Sequence, residues 1–379
     1  MPPTALTACL RYLHHFGAAI CAEIQSFQPE LLLGLAHSDI LPLWAAQACW
    51  QAAGAGAGAF PRVARINLGV EKQAVYEQWR IAHDMGGFDS MMASSMDMAH
   101  MMAWTAAHSG YQAEFKALLK KCKLKPAAIN VNVKAEPEFL NGGLTSTRKA
   151  VREKAIRFIR EAKDFAAAVG ADKVTCCPLG DGFEFAFQCD YRKMWTYLVD
   201  AFGECGAYRP EIPLFVEYKP SETRGKCFID SAAKTLCLLH DVGLESMGVT
   251  LDFGHSVYGG EQPAEAAALV ASSPYRLYVH INDNDGRWDW DYFCGTRHFL
   301  EYVEFLYWLK KIGYRDYLTS DTSPTRWDIR GTFEANSRIT NRIWSMLDRI
   351  DDKAFSRLIA GDDYLKTWKF IEREFLGLK

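Results

Sequence analysis

The sequence predicts an α/β protein with the architecture of a (β/α)8 TIM barrel, preceded by an N-terminal extension. Short apolar runs alternate with amphipathic segments in eight units over roughly 290 residues, which is the length and rhythm of such a barrel. Several amphipathic segments end at a glycine, as helices often do before a strand. The alternative, an open doubly wound sheet, needs a Gly-x-Gly-x-x-Gly turn after an early strand, and the chain has none.

Eight apolar runs predict the strands of the barrel. Each run is short and bounded by polar or turn-forming residues, as is typical of strands that are covered on both faces. The runs occupy residues 63–70, 88–94, 128–133, 173–179, 213–218, 248–253, 276–281 and 316–321.

Amphipathic segments between these runs predict helices. Their apolar residues recur at helical spacing with charged residues between them. Gly170, Gly243 and Gly313 stand where C-caps would end helices before the next strand. The segments occupy residues 71–84, 147–169, 229–242, 263–271, 297–312 and 332–347.

Three segments are predicted along the chain: an N-terminal extension of residues 1–61, the barrel of residues 62–350 and a helical C-terminal tail of residues 351–379. The extension is rich in Ala and Gly near its end, a composition typical of flexible linkers. Two long loops, residues 134–146 and 180–190, follow predicted strands. They are therefore expected over the C-terminal mouth of the barrel, where such folds place their sites.

The composition favours a cytoplasmic globular protein and excludes several partner classes. A net charge of −3 without a long basic run argues against nucleic acid or an anionic membrane surface as a partner. The eleven cysteines include no Cys-x-x-Cys pair and are expected to be reduced thiols. No uninterrupted apolar stretch of about 18 residues is present, so no membrane-spanning helix is predicted.

Polar side chains follow four successive predicted strands at the point where each strand ends. A single acid at such a place is more often a cap for the following helix, and a single histidine on an apolar strand is more often a hydrogen-bonded core residue. The coincidence on four successive strands favours a metal site on the barrel rim instead. The side chains are Glu217, Lys219, Asp252, His255, His280, Asp289, Asp291 and Asp321.

The strand ends themselves supply three carboxylates and one imidazole, from Glu217, Asp252, His280 and Asp321. Carboxylates that converge repel one another, and a divalent cation is the natural compensating charge. Oxygen ligands with one nitrogen suit Mn²⁺, with Mg²⁺ or Co²⁺ as alternatives.

A second ion position is predicted beside the first, which gives one or two ions per chain. Asp252 would bridge to His255, Asp289 and Asp291. Residues 289 and 291 are two apart, so in an extended segment their side chains face the same way. Lys219 follows Glu217 by two residues and could polarise or protonate a substrate oxygen.

The motifs that carry these residues resemble the xylose-isomerase-like TIM-barrel superfamily of sugar isomerases and epimerases. The resemblance spans residues 63–348 and is strongest over 126–325. The matching segments are EYKPSE (217–222), LDFGH (251–255), HINDNDGRWDWD (280–291), the loop that begins KAEPEF (134–139), and Asp321.

The resemblance implies two metal positions. It assigns Glu217, Asp252, His280 and Asp321 to the metal that binds substrate, and Asp252, His255, Asp289 and Asp291 to the catalytic metal. A histidine at strand seven is similar to rhamnose isomerase and the ketose 3-epimerases. The Asp-x-Asp pair and Lys219 are more similar to the isomerases.

The resemblance further implies a metal-dependent isomerase that interconverts an aldose and a ketose by a two-metal hydride shift, with Lys219 stabilising the carbonyl oxygen. A ketose 3-epimerase, with Glu217 and Asp321 as paired acid and base, is one alternative. A lyase acting on a modified sugar and a non-catalytic sugar-binding barrel are the others. The expected assembly is a homodimer or homotetramer. Lys219 and the aromatic residues Trp288, Trp290 and Phe183 are expected to contact the sugar.

Two positions depart from the family pattern. Where xylose isomerase has a ring-opening histidine on strand two, this chain has Ala93, Ser94 and Ser95. Cys177 stands where a tryptophan is expected at the end of strand four. The resemblance therefore leaves the identity of the sugar open.

Overall fold

A computed structural model describes two short N-terminal segments and most of the chain from residue 124 onward. The described ranges are 31–35, 62–66, 124–134, 137–222, 225–323 and 328–378, with residues 116, 119, 120 and 326. The predicted helix 71–84 and the predicted strand 88–94, which includes the positions of Ala93 and Ser94, lie outside them. The chain forms two compact units, residues 1–92 with 97–124 and residues 93–96 with 125–379.

In the first unit, two strands pair in parallel. Strand β1 (Leu31–Leu35) lies beside β2 (Arg62–Ile66), with Leu31 opposite Arg62 and Leu35 opposite Ile66. The predicted N-terminal extension thus contributes a strand of its own.

In the second unit, six of the described strands form one parallel sheet, in the order Ile129–Asn132, Val174–Cys177, Leu214–Glu217, Met247–Asp252, Arg276–Ile281 and Leu318–Ser320. The sheet confirms the six strands predicted from residue 128 onward. Because neighbouring strands follow one another along the chain and run in the same direction, their carboxyl ends meet at one edge. In chain order the strands are β3 (Ile129–Asn132), β4 (Val174–Cys177), β5 (Gly182–Phe183), β6 (Leu214–Glu217), β7 (Ser221–Glu222), β8 (Gly225–Cys227), β9 (Met247–Asp252), β10 (Arg276–Ile281) and β11 (Leu318–Ser320).

Helices connect the strands and cover the outer face of the sheet. Five of the six predicted helices lie in the described residues and are confirmed, whereas the helices Tyr191–Ala207 and Phe253–Tyr258 were not predicted. The helices are α1 (Lys149–Val169), α2 (Tyr191–Ala207), α3 (Ala232–Val242), α4 (Phe253–Tyr258), α5 (Pro263–Ala271), α6 (Phe299–Lys311), α7 (Ile329–Leu347), α8 (Asp352–Ile359) and α9 (Tyr364–Glu374).

Glycines end three of these helices, as predicted. Gly170 and Gly243 adopt left-handed φ values of 82° and 69° at the ends of α1 and α3, and their N–H groups donate to carbonyls of the last turn. Gly313 has φ 71° just beyond α6. A residue with a side chain would be strained at each position.

Two loops over the carboxyl edge of the sheet are held together by Asp181, which is fully buried. Its carboxylate accepts hydrogen bonds from the backbone N and the hydroxyl of Thr145, at 2.6 and 2.7 Å. The loop after β3 contains a 3₁₀ helix (Pro137–Asn141), and the loop after β4 contains β5, which joins β8 and β7 in a small antiparallel sheet. Both loops are therefore anchored at the edge where the predicted site residues lie.

The seven cysteines of the described residues are free thiols. Among those residues, none of the helices combines the length and the apolar character needed to cross a membrane. The C-terminal segment contains α8 and α9, which are joined by Phe355 stacked on Phe370 with ring centroids 4.5 Å apart.

Candidate metal centre

Three buried side chains meet where β6, β9 and β10 end. His280 lies opposite Asp252 in the register of β10 with β9, and Glu217 lies opposite Thr250 on β9. Glu217, Thr250, Asp252 and His280 are themselves buried. Side chains on neighbouring parallel strands at this level project to the same side, so the sheet itself brings these polar groups together.

The four strand-end residues form one compact group. The Nδ1 atom of His280 lies 3.4 Å from Oε1 of Glu217, 3.8 Å from Oδ2 of Asp321 and 4.0 Å from Oδ2 of Asp252. One potential ligand atom from each of the four residues lies within 4.8 Å of the other three. This spacing allows all four residues to reach one cation.

A second group shares Asp252 with the first and adds His255 and Asp289. Its potential ligand atoms again lie within 4.8 Å of one another. The Nε2 atom of His255 lies 3.2 Å from Oδ2 of Asp289, and Nδ1 lies 2.9 Å from the Tyr218 carbonyl. An Nδ1–H that donates to this carbonyl holds the imidazole with Nε2 turned toward Asp289, as in many metal-binding histidines.

Asp291, the fourth residue predicted for this ion, is not in either group of described residues. The prediction assumed an extended segment, but Asp291 has a left-handed φ of 50°. The N–H of Trp290 donates to the carbonyl of Trp288 at 3.0 Å, which tightens the turn further. The segment is therefore not extended, as the prediction had assumed, and of the two aspartates the second group includes Asp289.

The start of α4 fixes the orientation of Asp252. Its Oδ1 atom caps this helix by accepting from the His255 N–H at 2.8 Å, and Oδ2 accepts from Nδ2 of Asn282 at 2.9 Å. Gly254 is required between them, because a Cβ there would lie 2.7 Å from Oδ1 of Asn282 and 2.8 Å from Nδ2 of Asn284. The capping interpretation and the ligand interpretation of this aspartate are thus compatible.

Several buried polar atoms in the two groups have no hydrogen-bond partner. They are both ring nitrogens of His280, Oε2 of Glu217 and Oδ1 of Asp289. Leaving such atoms unpaired costs roughly 1–3 kcal/mol each. Divalent cations would satisfy the two carboxylate oxygens and one of the two His280 nitrogens, so the donor set fits a metal.

The pKa values show how the protein balances these charges. Burial raises the pKa of Glu217, but the charges of His280 and His255 outweigh it and the net shift is downward. Burial lowers the pKa of both histidines, yet Glu217 raises that of His280 overall, and Asp252 helps to raise that of His255 to about 10. Burial dominates at Asp252 and raises its pKa. Protons on the histidines therefore supply positive charge that a cation would replace.

Lys219 contacts the second group rather than the first. Its Nζ atom lies 2.7 Å from Oδ2 of Asp289 and 3.0 Å from Oε2 of Glu222. Burial lowers the pKa of Lys219, but these two carboxylates raise it well above its ordinary value. Burial likewise opposes Lys219 and Lys134 at Glu222, whose pKa falls to about 2. Lys219 is a buried ammonium held by two carboxylates at neutral pH.

One of the three predicted aromatic contacts lies beside the group. The ring of Trp288 is 6.2 Å from that of Tyr258, which in turn is 6.1 Å from the His255 ring. Trp290 is 47% exposed, and its indole N–H donates to Asp285. Phe183 packs edge-on against Tyr191 at 5.2 Å in the loop after β4. Of the three, Trp288 is connected through Tyr258 to the candidate ligand His255.

Sequence reasoning missed three residues at this centre, Asn282, Tyr258 and Glu222. Asn282 follows His280 by two residues, one position beyond the end of β10, so the alternation of side chains could have placed it on the same face. Tyr258 follows His255 by three residues, which is one helical turn. Glu222 belongs to a hairpin, and no local pattern indicates its pairing with Lys219.

The geometry agrees with what comparison with known proteins finds. A family model described as xylose isomerase-like TIM barrel matches residues 79–338. The chain belongs to this family. Among solved structures, a D-tagatose 3-epimerase-like protein and an L-ribulose 3-epimerase each superpose with a TM-score of 0.51 at 18% identity. They cover 62% and 65% of this chain and 83% of their own chains. At that identity they support the xylose isomerase-like fold alone.

Sequence relatives of this family member include two xylose isomerases. That of Thermus thermophilus is 27% identical over 188 residues, which cover 48% of this chain and 49% of the relative. That of Thermus caldophilus is 27% identical over 173 residues, 44% of this chain and 45% of the relative. The chain thus spans about half the length of the curated relatives it matches.

Proposed function

We propose that this protein is a divalent-metal-dependent sugar isomerase that interconverts an aldose and a ketose, with Mn²⁺ as the preferred ion. The observation that carries the proposal is the second group, Asp252, His255 and Asp289, with the Lys219 ammonium 2.7 Å from Asp289. A proton-transfer reaction at one carbon needs one cation and an acid–base pair. A second cation position beside a buried lysine suits a reaction at two adjacent oxygens.

The residues present divide the work between binding and activation. Glu217, Asp252, His280 and Asp321 would hold one cation, and Asp252, His255 and Asp289 a second. When bound, divalent cations would supply Lewis-acid polarisation of the two oxygens on neighbouring sugar carbons. The reaction then moves a hydrogen with its electron pair from C2 to C1 within the sugar.

Lys219 would donate a hydrogen bond to the sugar oxygen on which negative charge develops. Its ammonium is already oriented by Glu222 and Asp289, so little reorganisation is needed when that charge appears. A donor aimed at developing charge in a dry site is typically worth roughly 3–4 kcal/mol of transition-state stabilisation. Tyr258 and Trp288 form an aromatic wall beside His255 that would help to exclude water.

The test is a panel of aldoses and ketoses incubated in D₂O with the Mn²⁺-loaded protein, followed by NMR of the products. An isomerase that transfers hydride from C2 to C1 within the sugar gives a product without deuterium at these two carbons. Lys219→Met should lower kcat by about 10²–10³. Lys226→Met, which removes an exposed lysine paired with Asp230, should leave it unchanged. Complete deuterium incorporation would refute the hydride shift.

A ketose 3-epimerase is the second candidate, and a specific observation favours it. The first group alone offers three carboxylates and a histidine to one cation, with Glu217 and Asp321 on different strands beside His280. Two carboxylates so placed could act as acid and base on opposite sides of one carbon. Quantitative deuterium incorporation at C3, with one Mn²⁺ per chain, would select this reaction.

A further inference from the structure

Four side chains of alternating charge form a continuous chain from the end of β3 to the second group. The ammonium of Lys134 lies 2.9 Å from Oε1 of Glu222. The other oxygen of Glu222 lies 3.0 Å from Nζ of Lys219, which lies 2.7 Å from Oδ2 of Asp289. Lys134 is outside both candidate ligand groups, yet only two side chains separate it from one of the ligands.

The backbone fixes Lys134 at its place in this chain. Its N–H donates to Oδ1 of Asn132 at 2.8 Å. The loop after β4 packs closely behind it, since a Cβ at Gly180 would lie 3.3 Å from the Phe139 carbonyl and 3.8 Å from Lys134. The Lys134 and Glu222 side chains are 29% and 19% exposed, so their ion pair is only partly hydrated.

Lys219 is shared between two carboxylates, so its contact with Asp289 depends on Lys134 at the other end of this series of ion pairs. Glu222 and Asp289 compete for the same ammonium. The ammonium of Lys134 neutralises part of the Glu222 charge and so weakens the attraction of Glu222 for Lys219. Lys219 is then held more firmly by Asp289. Since Lys219 contacts the Asp289 carboxylate beside His255, a firmer hold there opposes a metal ion at the same carboxylate.

We infer that Lys134 is a positioning residue that lowers the affinity of the Asp252–His255–Asp289 group for a divalent cation by acting through Glu222 and Lys219. The inference deepens the proposed function, on which it rests for the presence of a second cation. Lys134 also influences, through Glu222, where the Lys219 ammonium lies relative to the sugar. The Mn²⁺ affinity of the second group is therefore tuned from the loop after β3.

The effects of two substitutions have opposite signs. Lys134→Met lets Glu222 draw Lys219 away from Asp289, so Mn²⁺ binds the second group more tightly. Glu222→Gln removes the charge of one of the two carboxylates, so Lys219 stays closer to Asp289 and Mn²⁺ binds more weakly. A partly hydrated ion pair is worth up to about 1 kcal/mol, so the change for Lys134→Met is roughly fivefold.

The test is a titration of the purified full chain with Mn²⁺, in which free Mn²⁺ is followed by electron paramagnetic resonance. Asp289→Asn should remove one of the two classes of Mn²⁺ binding, and that class is thereby assigned to the second group. Lys134→Met should strengthen that class about fivefold and leave the other class unchanged. Lys134→Arg, which keeps the cation, should restore the original affinity.

Two controls separate a contact chain from a general effect of charge. Lys226→Met removes a nearby surface lysine that pairs with Asp230, and it should change neither Mn²⁺ affinity. In a Lys219→Met background the link is broken, so adding Lys134→Met should have no further effect. The inference is overturned if Lys134→Met changes the affinity less than twofold, if its effect persists without Lys219, or if Lys226→Met reproduces it.

These outcomes are independent of whether the proposed reaction occurs. If no sugar in the panel is converted while the Mn²⁺ affinities shift as described, the proposed function fails and the role of Lys134 stands. If sugars are isomerised while Lys134→Met leaves the second affinity unchanged, the role of Lys134 fails and the proposed function stands.

Discussion

Breaking the ion pair between Lys219 and Asp289 should destabilise the protein strongly when no metal is bound. The two side chains are 11% and 8% exposed and their charged atoms lie 2.7 Å apart. At an effective dielectric constant of 20, this distance corresponds to a gross attraction of about 6 kcal/mol. Desolvation of both charges offsets much of this attraction. The net contribution of the pair to the unfolding free energy is therefore far smaller than the cost of removing one of its two partners.

Removing either partner alone leaves a buried charge without its counterpart. Breaking a buried pair in this way costs about 3–5 kcal/mol. The lower end applies here, because Lys219 keeps Glu222 at 3.0 Å and Asp289 keeps His255 at 3.2 Å. Lys219→Met and Asp289→Asn should each cost about 3 kcal/mol. The double variant should cost about 4, which leaves a coupling energy of about 2 kcal/mol.

The assay is thermal and urea unfolding of the four proteins in a chelator, so that no metal replaces the missing charge. In a unit of this size, 3 kcal/mol corresponds to a loss of roughly 6–12 °C in Tm. A matched control is the exposed pair Lys366–Asp363, which has the same 2.7 Å separation with side chains 71% and 49% exposed. Lys366→Met and Asp363→Asn should show no measurable coupling. Equal coupling in the two pairs would refute the reasoning from burial.

Three further predictions concern proton release at His255, the buried Lys163 and the close packing at Gly254. Burial lowers the pKa of His255, but neighbouring charges led by Asp252 raise it to about 10, so Mn²⁺ must displace a proton; calorimetry in buffers of different ionisation enthalpy should detect about one proton released per ion at that group. Burial lowers the pKa of Lys163 to about 8 from an unfolded value of 10.5, so its charged form destabilises the fold below pH 8 and this penalty is relieved as the pH rises. Relative to Lys163→Met, the unfolding free energy of the wild type should therefore increase by about 2 kcal/mol from pH 7 to 9.5. A difference between the two proteins that stays constant with pH would contradict the shift. Gly254→Ala places a Cβ 2.7 Å from Asn282, so we expect a loss of about 1–3 kcal/mol in unfolding free energy together with weaker Mn²⁺ binding, and unchanged values would show that the neighbour can move.

The strands and most helices could be predicted because their determinants are local. Helix α5 has the predicted bounds, residues 263–271, since proline begins it and small and apolar residues fill it. Helix α2 was missed although Met194, Leu198 and Phe202 follow helical spacing. Gly203 and Gly206 lower its intrinsic helix propensity, and burial against the sheet outweighs that cost.

The ligand groups were predictable to the extent that the sheet positions them. Glu217, Asp252 and His280 end strands, and the parallel register brings any three such residues together. Asp289 and Asp291 lie in a loop whose course depends on distant contacts, such as the backbone pairing of Asp283 with Tyr292. Spacing in sequence therefore could not indicate which of the two aspartates would join the group.

Pairings between separate loops are the part of the centre that the sequence conceals. Glu222 meets Lys134 across 88 positions of the chain, and although both lie in segments that resemble the family, nothing in either segment indicates that the two residues pair. Such pairs are specified only after the strands have placed both loops at one edge. The same holds for Asn282, whose amide orients Asp252 from a different strand end.

Asp252 connects the local and the distant determinants of this centre. One of its oxygens begins α4 by capping it, which is a requirement of local chain folding, and the same bond places His255 beside Asp289. Its other oxygen faces Asn282 and His280, which the register of β9 and β10 supplies. Because both oxygens are oriented by contacts of the fold itself, the two groups are formed before any cation binds. A centre formed in this way needs little rearrangement on binding, which favours a tight and well-ordered metal position over one that assembles around the ion.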